Sequence, residues 1–217
     1  MKTLTTLLLV LWSIQATCQQ HSIGIFGGLS LADVKSQNWL GSDEGRTGSL
    51  WGLGYQIQLN DNYQLEADLF YIQKGYKGFQ SYLDASGNSE PIEAKHYFDY
   101  MSIPIKGGYT VGQDLSVFAN LGVVPAFLIQ AKNIVSPYYG MPNGEVRDMK
   151  ESLNSFDFSG ILEVGANYSF SAHYAVSTSL AYQRSFTSLT TEYYFANSEI
   201  WHHGLNISVG VKYIFSD

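Results

Sequence analysis

Cysteine, positive charge and long apolar stretches are all scarce in this sequence. Cys18 is the single cysteine among 217 residues, so no disulfide can form within the chain. An exported chain without disulfides must be held together by a core, a closed sheet or a bilayer. The formal charge is −7, from 12 Lys and Arg against 19 Asp and Glu. Because phosphate binding needs a concentrated basic face, this balance argues against nucleic acid as a partner.

A helix-length apolar run is also missing after the N-terminal segment. The longest uncharged stretch, residues 115–131, is interrupted by Ser116, Asn120, Gly122 and Pro125. A spanning helix needs about 20 predominantly apolar residues. If the mature chain enters a membrane, it must therefore do so as a β-barrel.

The first residues have the order of a secretory signal peptide, in which a positive charge precedes an apolar run and then small residues. The apolar run is residues 4–14, and we predict cleavage after Cys18. Residues 1–18 are then the signal peptide and residues 19–217 a single domain. Lipid attachment to Cys18 is one alternative, although that processing prefers a smaller residue than Thr17 before the cysteine. An uncleaved anchor is another, but the run is too short to span.

The rest of the chain alternates between apolar and polar residues with a period of two, over about ten residues at a time. This is the length that a tilted membrane strand requires. One face of each run is oily and the other is small or polar, as in Trp51, Leu53 and Tyr55 against Gly52 and Gly54. The predicted strands are residues 22–31, 49–59, 63–75, 96–109, 115–128, 156–168, 174–184 and 200–215.

The connections between these strands alternate strictly between long and short. The long ones are residues 32–48, 79–95, 129–155 and 185–199, and the short ones are residues 60–62, 110–114 and 169–173. Outer-membrane barrels have long outer loops and short periplasmic turns. The pattern predicts an all-β fold, an eight-stranded antiparallel up-and-down transmembrane β-barrel with both termini in the periplasm.

Aromatic residues fall on the apolar faces near strand ends, which suits two girdles at the membrane interfaces. The alternative is a soluble sandwich or lipocalin-like barrel, whose strands also alternate. In those folds the oily face points inward and charges face water. Here the polar face carries mostly small, uncharged residues, which favours a narrow lumen.

Parity places five charged residues in this lumen. An eight-stranded barrel is only wide enough for side chains to fill it, so we expect an internal polar plug in which opposite charges pair. Paired carboxylates as general acid and base are the alternative, but no nucleophile accompanies them. The predicted lumen network is Glu66, Asp68, Lys106, Glu163 and Lys212.

Other residues carry weaker expectations. His202 and His203 are neighbours on a strand and point to opposite faces, so they cannot readily chelate one metal ion. We expect both to be interfacial residues near the outer rim. Pro104 lies within a predicted strand and cannot donate to the ladder, which predicts a bulge or a wetted lumen position. We assign no catalytic residue and no cofactor.

The long loops are the candidates for partner contact, because binding residues often sit on loops held by a rigid scaffold. The third loop has an aromatic, turn-rich tract with Tyr138, Tyr139 and Met141, and an ordinary solvated hairpin is the alternative for it. The first loop carries Asp43 and Glu44, which could hold divalent ions that bridge surface lipids. A charged, mobile loop explains these two acids equally well.

Several stretches together resemble the PorT-like porin family of small outer-membrane barrels. They are residues 65–71 (LEADLFY) with Lys74 and Gly75, residues 100–106 (YMSIPIK), Gly122, and residues 210–215 (GVKYIF). The resemblance covers the whole mature chain, and it implies fold and location more than activity. In such sequences an Ile-Pro pair in the fourth strand is common, and an aromatic last strand is read by the barrel-assembly machinery. Here, however, Ser216 and Asp217 follow that strand.

We therefore expect a non-enzymatic barrel in the outer membrane with a structural, surface-interaction or secretion-related role. Its expected partners are outer-membrane lipid, the assembly machinery during biogenesis, and an extracellular or secretion-system partner. The alternatives are a narrow passive pore, a lipid-modifying enzyme and a soluble periplasmic ligand-binding barrel. Outward Leu, Ile and Val should make the protein require detergent, which separates the last alternative from the others.

Overall fold

The structure is a computed structural model that describes residues 20–36, 44–83, 87, 89–137, 143–190 and 199–215. Three predictions made from the sequence lie outside these ranges. They are the signal peptide at residues 1–18, the contribution of Asp43 to the first loop, and the contact residues Tyr138, Tyr139 and Met141.

The described chain forms one antiparallel sheet that closes on itself. Strand β1 pairs with β2 on one side and with β10 on the other, and the remaining strands complete the circuit. The ring has eight strand positions, because β4 and β5 follow one another in the same position between β3 and β6. Among the described strands, β7 pairs only with β6 and lies outside the ring. The strands are β1 (Gln20–Ser36), β2 (Glu44–Gln58), β3 (Tyr63–Leu83), β4 (Ser89–Ser102), β5 (Ile105–Gly112), β6 (Leu115–Val135), β7 (Glu145–Asp148), β8 (Phe156–Ser169), β9 (Tyr174–Ser185) and β10 (Ile200–Phe215).

The predicted eight-stranded antiparallel barrel is thus confirmed. A three-residue 3₁₀ helix, η1 (Lys150–Ser152), lies between β7 and β8. No helix in the described part of the chain is long and apolar enough to cross a membrane.

The strands are tilted, and their registers fix the stagger of the barrel. A path that follows directly paired residues from His21 around the ring returns to β1 at Leu31, ten residues further along. Strand number and stagger together set the width of a barrel, and eight strands leave room only for side chains. The interior is therefore a packed space.

Of the two expectations for Pro104, a bulge or a wetted lumen position, the bulge is absent from the described strands, and the Pro104 side chain is fully buried. The pairing register of β3 continues without a shift from Phe70 opposite Ser102 to Ala67 opposite Ile105. The ladder is maintained because the Asp68 N–H donates to the Pro104 carbonyl at 3.0 Å. The register of β4 with β6 does shift further out, between Asp99 and Tyr100.

The outer face of the ring carries a continuous apolar band, with side chains such as Leu121 and Leu115 exposed by 69% and 64%. Aromatic pairs border it at both ends. Tyr63 lies 5.2 Å from Tyr109 at the periplasmic turns, and Trp51 lies 5.5 Å from Tyr71 at the other rim. An outward apolar band between aromatic girdles is typical of outer-membrane barrels. A soluble barrel would instead turn this face inward.

Several strands continue far beyond the outer girdle, where the sequence predicted loops. The hairpin of β3 and β4 extends to Leu83 paired with Ser89, and β6 extends to Val135. The predicted loop 79–95 is therefore largely paired strand, the predicted loop 129–155 is paired at residues 129–135 and 145–148, and both predictions were wrong in extent. Bilayer thickness limits the apolar band but not backbone pairing, which continues in water.

The band gives a depth-dependent prediction. Leu121 lies halfway between the outward residues Leu115 and Phe127 of β6, whereas Val111 lies next to a periplasmic turn, and both are exposed. We expect Leu121→Arg to lower the free energy of unfolding in phospholipid vesicles by about 2–4 kcal/mol and Val111→Arg by about 0–1 kcal/mol. Denaturant titration followed by tryptophan fluorescence would measure both. Equal losses would contradict the placement of the band.

Candidate functional site

Small residues line the interior of the barrel next to large inward side chains. Gly108 illustrates this, because a Cβ placed there would stand 1.7 Å from Oδ1 of Asn120 on the neighbouring strand. From the periplasmic end outward the interior holds an open vestibule, a charged layer, a second ion pair and an apolar cap.

Lys106 is the centre of the charged layer. Its Nζ lies 2.7 Å from Glu163, 2.8 Å from Asp68 and 3.3 Å from Glu66, and its side chain is only 4% exposed. Two strands, β3 and β8, supply the three acids to the one ammonium group on β5, so the ion cluster joins β3, β5 and β8. Four of the five residues of the predicted lumen network are therefore in direct contact.

Lys212, the fifth residue, is connected to this cluster through amides. Its Nζ donates to Gln56 Oε1 at 2.8 Å, and Gln56 donates to Gln64 at 2.9 Å. Gln64 then donates to Asn120 at 2.8 Å, and Asn120 donates to Glu163 and Glu66 at 3.0 and 3.2 Å. Buried charges and amides in this layer are mutually satisfied, with one exception: Asp68 Oδ1 has no hydrogen-bond partner among the described residues.

A second buried ion pair lies nearer the outer end, and it was missed from the sequence. Lys74 Nζ approaches Asp157 Oδ2 to 3.1 Å, and both side chains are at most 7% exposed. Ser159, Ser185 and Thr187 also donate to this carboxylate at 3.0–3.1 Å. Strand parity points both charged residues inward, so extending the alternation along β3 and β8 would have found them.

An apolar cap closes the outer end of the lumen. Met149 and Leu153 from the η1 segment and Leu189 from the following connection turn inward onto strand residues. The cap consists of Val34, Leu50, Phe70, Ile72, Tyr76, Phe98, Tyr100, Ala126, Leu128, Ala131, Met149, Leu153, Leu189 and Ile200. The expected polar plug therefore fills only part of the lumen. Beyond the outer girdle, the inward side chains are as apolar as the core of a soluble protein.

His202 belongs to the buried interior and not to the interface, where it was expected. It is 3% exposed, and its ring meets Phe98 and Tyr100 edge-on at 5.3 and 5.8 Å. Ser159 and Ser185 nearby donate to Asp157 and lie under the cap. Both serine side chains are buried, with exposures of 0% and 4%.

The periplasmic end is open in contrast. A cavity of about 770 Å³ lies between the short turns and is lined by Gln58, Asn62, Gln64, Asn167 and Lys212, among others. A second cavity of about 60 Å³ lies further in, beside Asp68, Phe26 and Phe118. Among the described residues no group of three His, Cys, Asp or Glu side chains is arranged to hold a metal ion.

The sequence pattern of a known family matches nearly the whole chain. The family is the outer membrane protein beta-barrel domain, and the match runs over residues 4–215. The chain belongs to this family. The outer membrane is therefore the compartment in which the closed ring and its apolar band are placed. Comparison with curated proteins by sequence found no match.

Solved barrels share the fold at low sequence identity. The outer membrane protein OprG from Pseudomonas aeruginosa aligns with a TM-score of 0.56 at 10% identity, over 92% of this chain and 98% of OprG. The attachment invasion locus protein Ail of Yersinia pestis aligns with a TM-score of 0.44 at 14% identity, over 90% of this chain and 99% of Ail. The outer membrane protease OmpT from Escherichia coli aligns with a TM-score of 0.45 at 13% identity, over 92% and 98%. The similarity to OprG shows the fold alone.

Substitution of Lys106 tests how much the buried ion cluster contributes to the stability of the barrel. Lys106→Met leaves three carboxylates without their shared counter-ion, so we expect the free energy of unfolding to fall by about 3–5 kcal/mol. Lys212→Met is the matched control, because that lysine donates to an amide, and we expect a loss of about 1–3 kcal/mol. Denaturant titration in vesicles measures both. Similar losses in the two variants would mean that the ion cluster contributes no more to stability than the hydrogen bond of Lys212 does.

A pH dependence follows from His96, which lies beyond the outer girdle, five residues along β4 from Met101. Its ring stacks on Tyr76 at 4.4 Å, and burial lowers its pKa to about 4. The opened hairpin regains the ordinary value of 6.5 and takes up a proton first. Stability from this group is therefore complete above pH 6.5 and is lost as the pH falls toward 4.

Hydrogen exchange of the β3–β4 hairpin would measure this effect. We expect its protection to fall by up to about 3 kcal/mol between pH 7 and pH 4 after correction for intrinsic exchange. His96→Gln should reduce the pH dependence of the same amides. An unchanged dependence in that variant would assign it to other groups.

Proposed function

We propose that this protein is a non-enzymatic outer-membrane barrel that is closed to solutes and displays a rigid extracellular sheet to a partner. The role is structural, surface-interacting or secretion-related. The observation that carries the proposal is the apolar cap, since it fills the outer lumen with buried side chains drawn from the strands and from the η1 segment. Packed apolar side chains exclude hydrated solutes.

The extended strands support the display of a surface. Beyond the outer girdle, β3, β4, β6 and β7 continue as a paired sheet, and Phe79 and Val146 on it are 53% and 64% exposed. Function often lies on segments that a rigid scaffold positions outside the membrane. We further propose that Tyr138, Tyr139 and Met141, in the connection between β6 and β7, contribute to this contact surface.

A PorT-like identity is the finer form of the proposal. The residues that carry the resemblance have structural uses here: Lys74 holds Asp157, Lys106 holds three acids, and Gly75 has a φ of 155° beside the His96 carbonyl. Export by the predicted signal peptide and insertion by the assembly machinery belong to the same proposal. The outward Tyr213 and Phe215 at the end of β10 offer the aromatic pattern for insertion.

Conductance tests the closed lumen. The purified protein in planar lipid bilayers should give no reproducible steps, because both the cap and the Lys106 cluster obstruct the lumen. A large-pore porin inserted in the same bilayers is the positive control. Stable steps from the folded protein would support the narrow pore instead.

Cysteine labelling tests the display of the sheet. Val146→Cys on β7 should react with a membrane-impermeant maleimide in intact cells, whereas Asp61→Cys in a short turn should react only after the outer membrane is permeabilised. Both side chains are exposed in the fold, so accessibility depends on the side of the membrane. The reverse result would invert the barrel and remove the proposed surface role.

A further inference from the structure

Arg184 is an exposed cation on the outward face of the barrel. It lies on β9 between Tyr182 and Phe186, which point to the same side and are 43% and 61% exposed. Gly160 is its partner across the ladder on β8, and the Phe186 ring lies over this glycine, since a Cβ built there would stand 2.7 Å from Cζ of Phe186. The arginine thus projects from the wall among apolar and aromatic groups that face lipid.

Further basic groups adjoin Arg184 on the next two strands. His203 is paired directly with Arg184 across the β9–β10 ladder. Lys35 on β1 is exposed and is paired with Trp201, two residues before His203 on β10. One side of the outer girdle therefore carries a patch with several nitrogen donors, and we call Arg184 and His203 with Lys35 the basic patch.

Neither of the two central members forms an ion pair within the part of the chain that the structure describes. Arg184 and His203 also form no side-chain hydrogen bond with a described residue, and Asp33, the acid opposite His203, accepts a hydrogen bond from the Val34 N–H at its Oδ1. Two other cations of the outer region have acidic partners. Lys95 pairs with Glu93, and Arg147 pairs with Glu145.

An unpaired arginine on a lipid-facing wall is destabilising in hydrocarbon and close to neutral at the interface, where lipid phosphates lie. Arginine also binds phosphate through two parallel N–H donors. We propose that Arg184 and His203 form a binding site for the phosphate group of a lipid in the outer leaflet, with Lys35 adding charge. The exposed Tyr182 and Leu205 just below the patch would pack against its acyl chains.

The site is tested by lipid retention. Protein extracted from outer membranes in detergent would be mixed with diphosphorylated lipid A, with the same lipid after removal of both phosphates, or with inorganic phosphate, and bound lipid counted by native mass spectrometry. We expect the double variant Arg184→Gln/His203→Gln to retain the phosphorylated lipid about five-fold less than the parent protein. Retention by the parent should also decrease with added salt.

Arg147→Gln is the matched control, since it removes one cation from the extracellular hairpin and should leave retention unchanged. Heat-dependent gel mobility verifies that each variant is folded. Equal retention by the double variant, or equal retention of the dephosphorylated lipid, would overturn the site. Inorganic phosphate that displaces the lipid completely at equal concentration would overturn the assignment to a lipid. Conductance and maleimide labelling involve other residues, so the proposed function can fail or stand separately.

Discussion

Closure of the sheet with a stagger of ten residues is the constraint on which the remaining structure depends. Closure pairs the backbone of every wall with two neighbours, which is what a lipid environment demands of a strand. The same geometry leaves an interior only as wide as two opposing side chains. Every inward position must therefore be small, be paired, or pack against another inward residue.

The interior responds to that constraint differently along its length. At the level of the apolar band, Lys106 gathers three acids and the amides of Gln64 and Asn120 satisfy the remaining groups. Water cannot stabilise these ions, so each depends on its partners. Beyond the outer girdle the enclosed space is filled by a hydrophobic core, because there Met149 and Leu153 of the connecting segment turn in and cover it. Paired charges therefore fill the lumen at the level of the apolar band, and apolar side chains fill it beyond the outer girdle.

The faces of the strands could be predicted from the sequence because alternation with a period of two is independent of tertiary context. That is why Glu66, Asp68, Lys106 and Glu163 were grouped before their contacts were known. Strand ends could not be predicted, since the expected length came from the bilayer, and pairing of Phe79 with Glu93 continues beyond it. The cap could not be predicted either. Leu50, Ile72 and Phe98 are apolar residues on the otherwise polar inward face, and only the folded structure shows that they share a buried cluster with Leu153.

The periplasmic vestibule has an electrical consequence. Water that fills the 770 Å³ space carries the periplasmic potential inward to Gln64 and Lys212. Any voltage between the two sides of the membrane must then fall across the packed remainder of the lumen, from the charged layer to the cap. Lys106 therefore lies at the periplasmic edge of that dielectric barrier, whereas Lys74 and Asp157 lie within it.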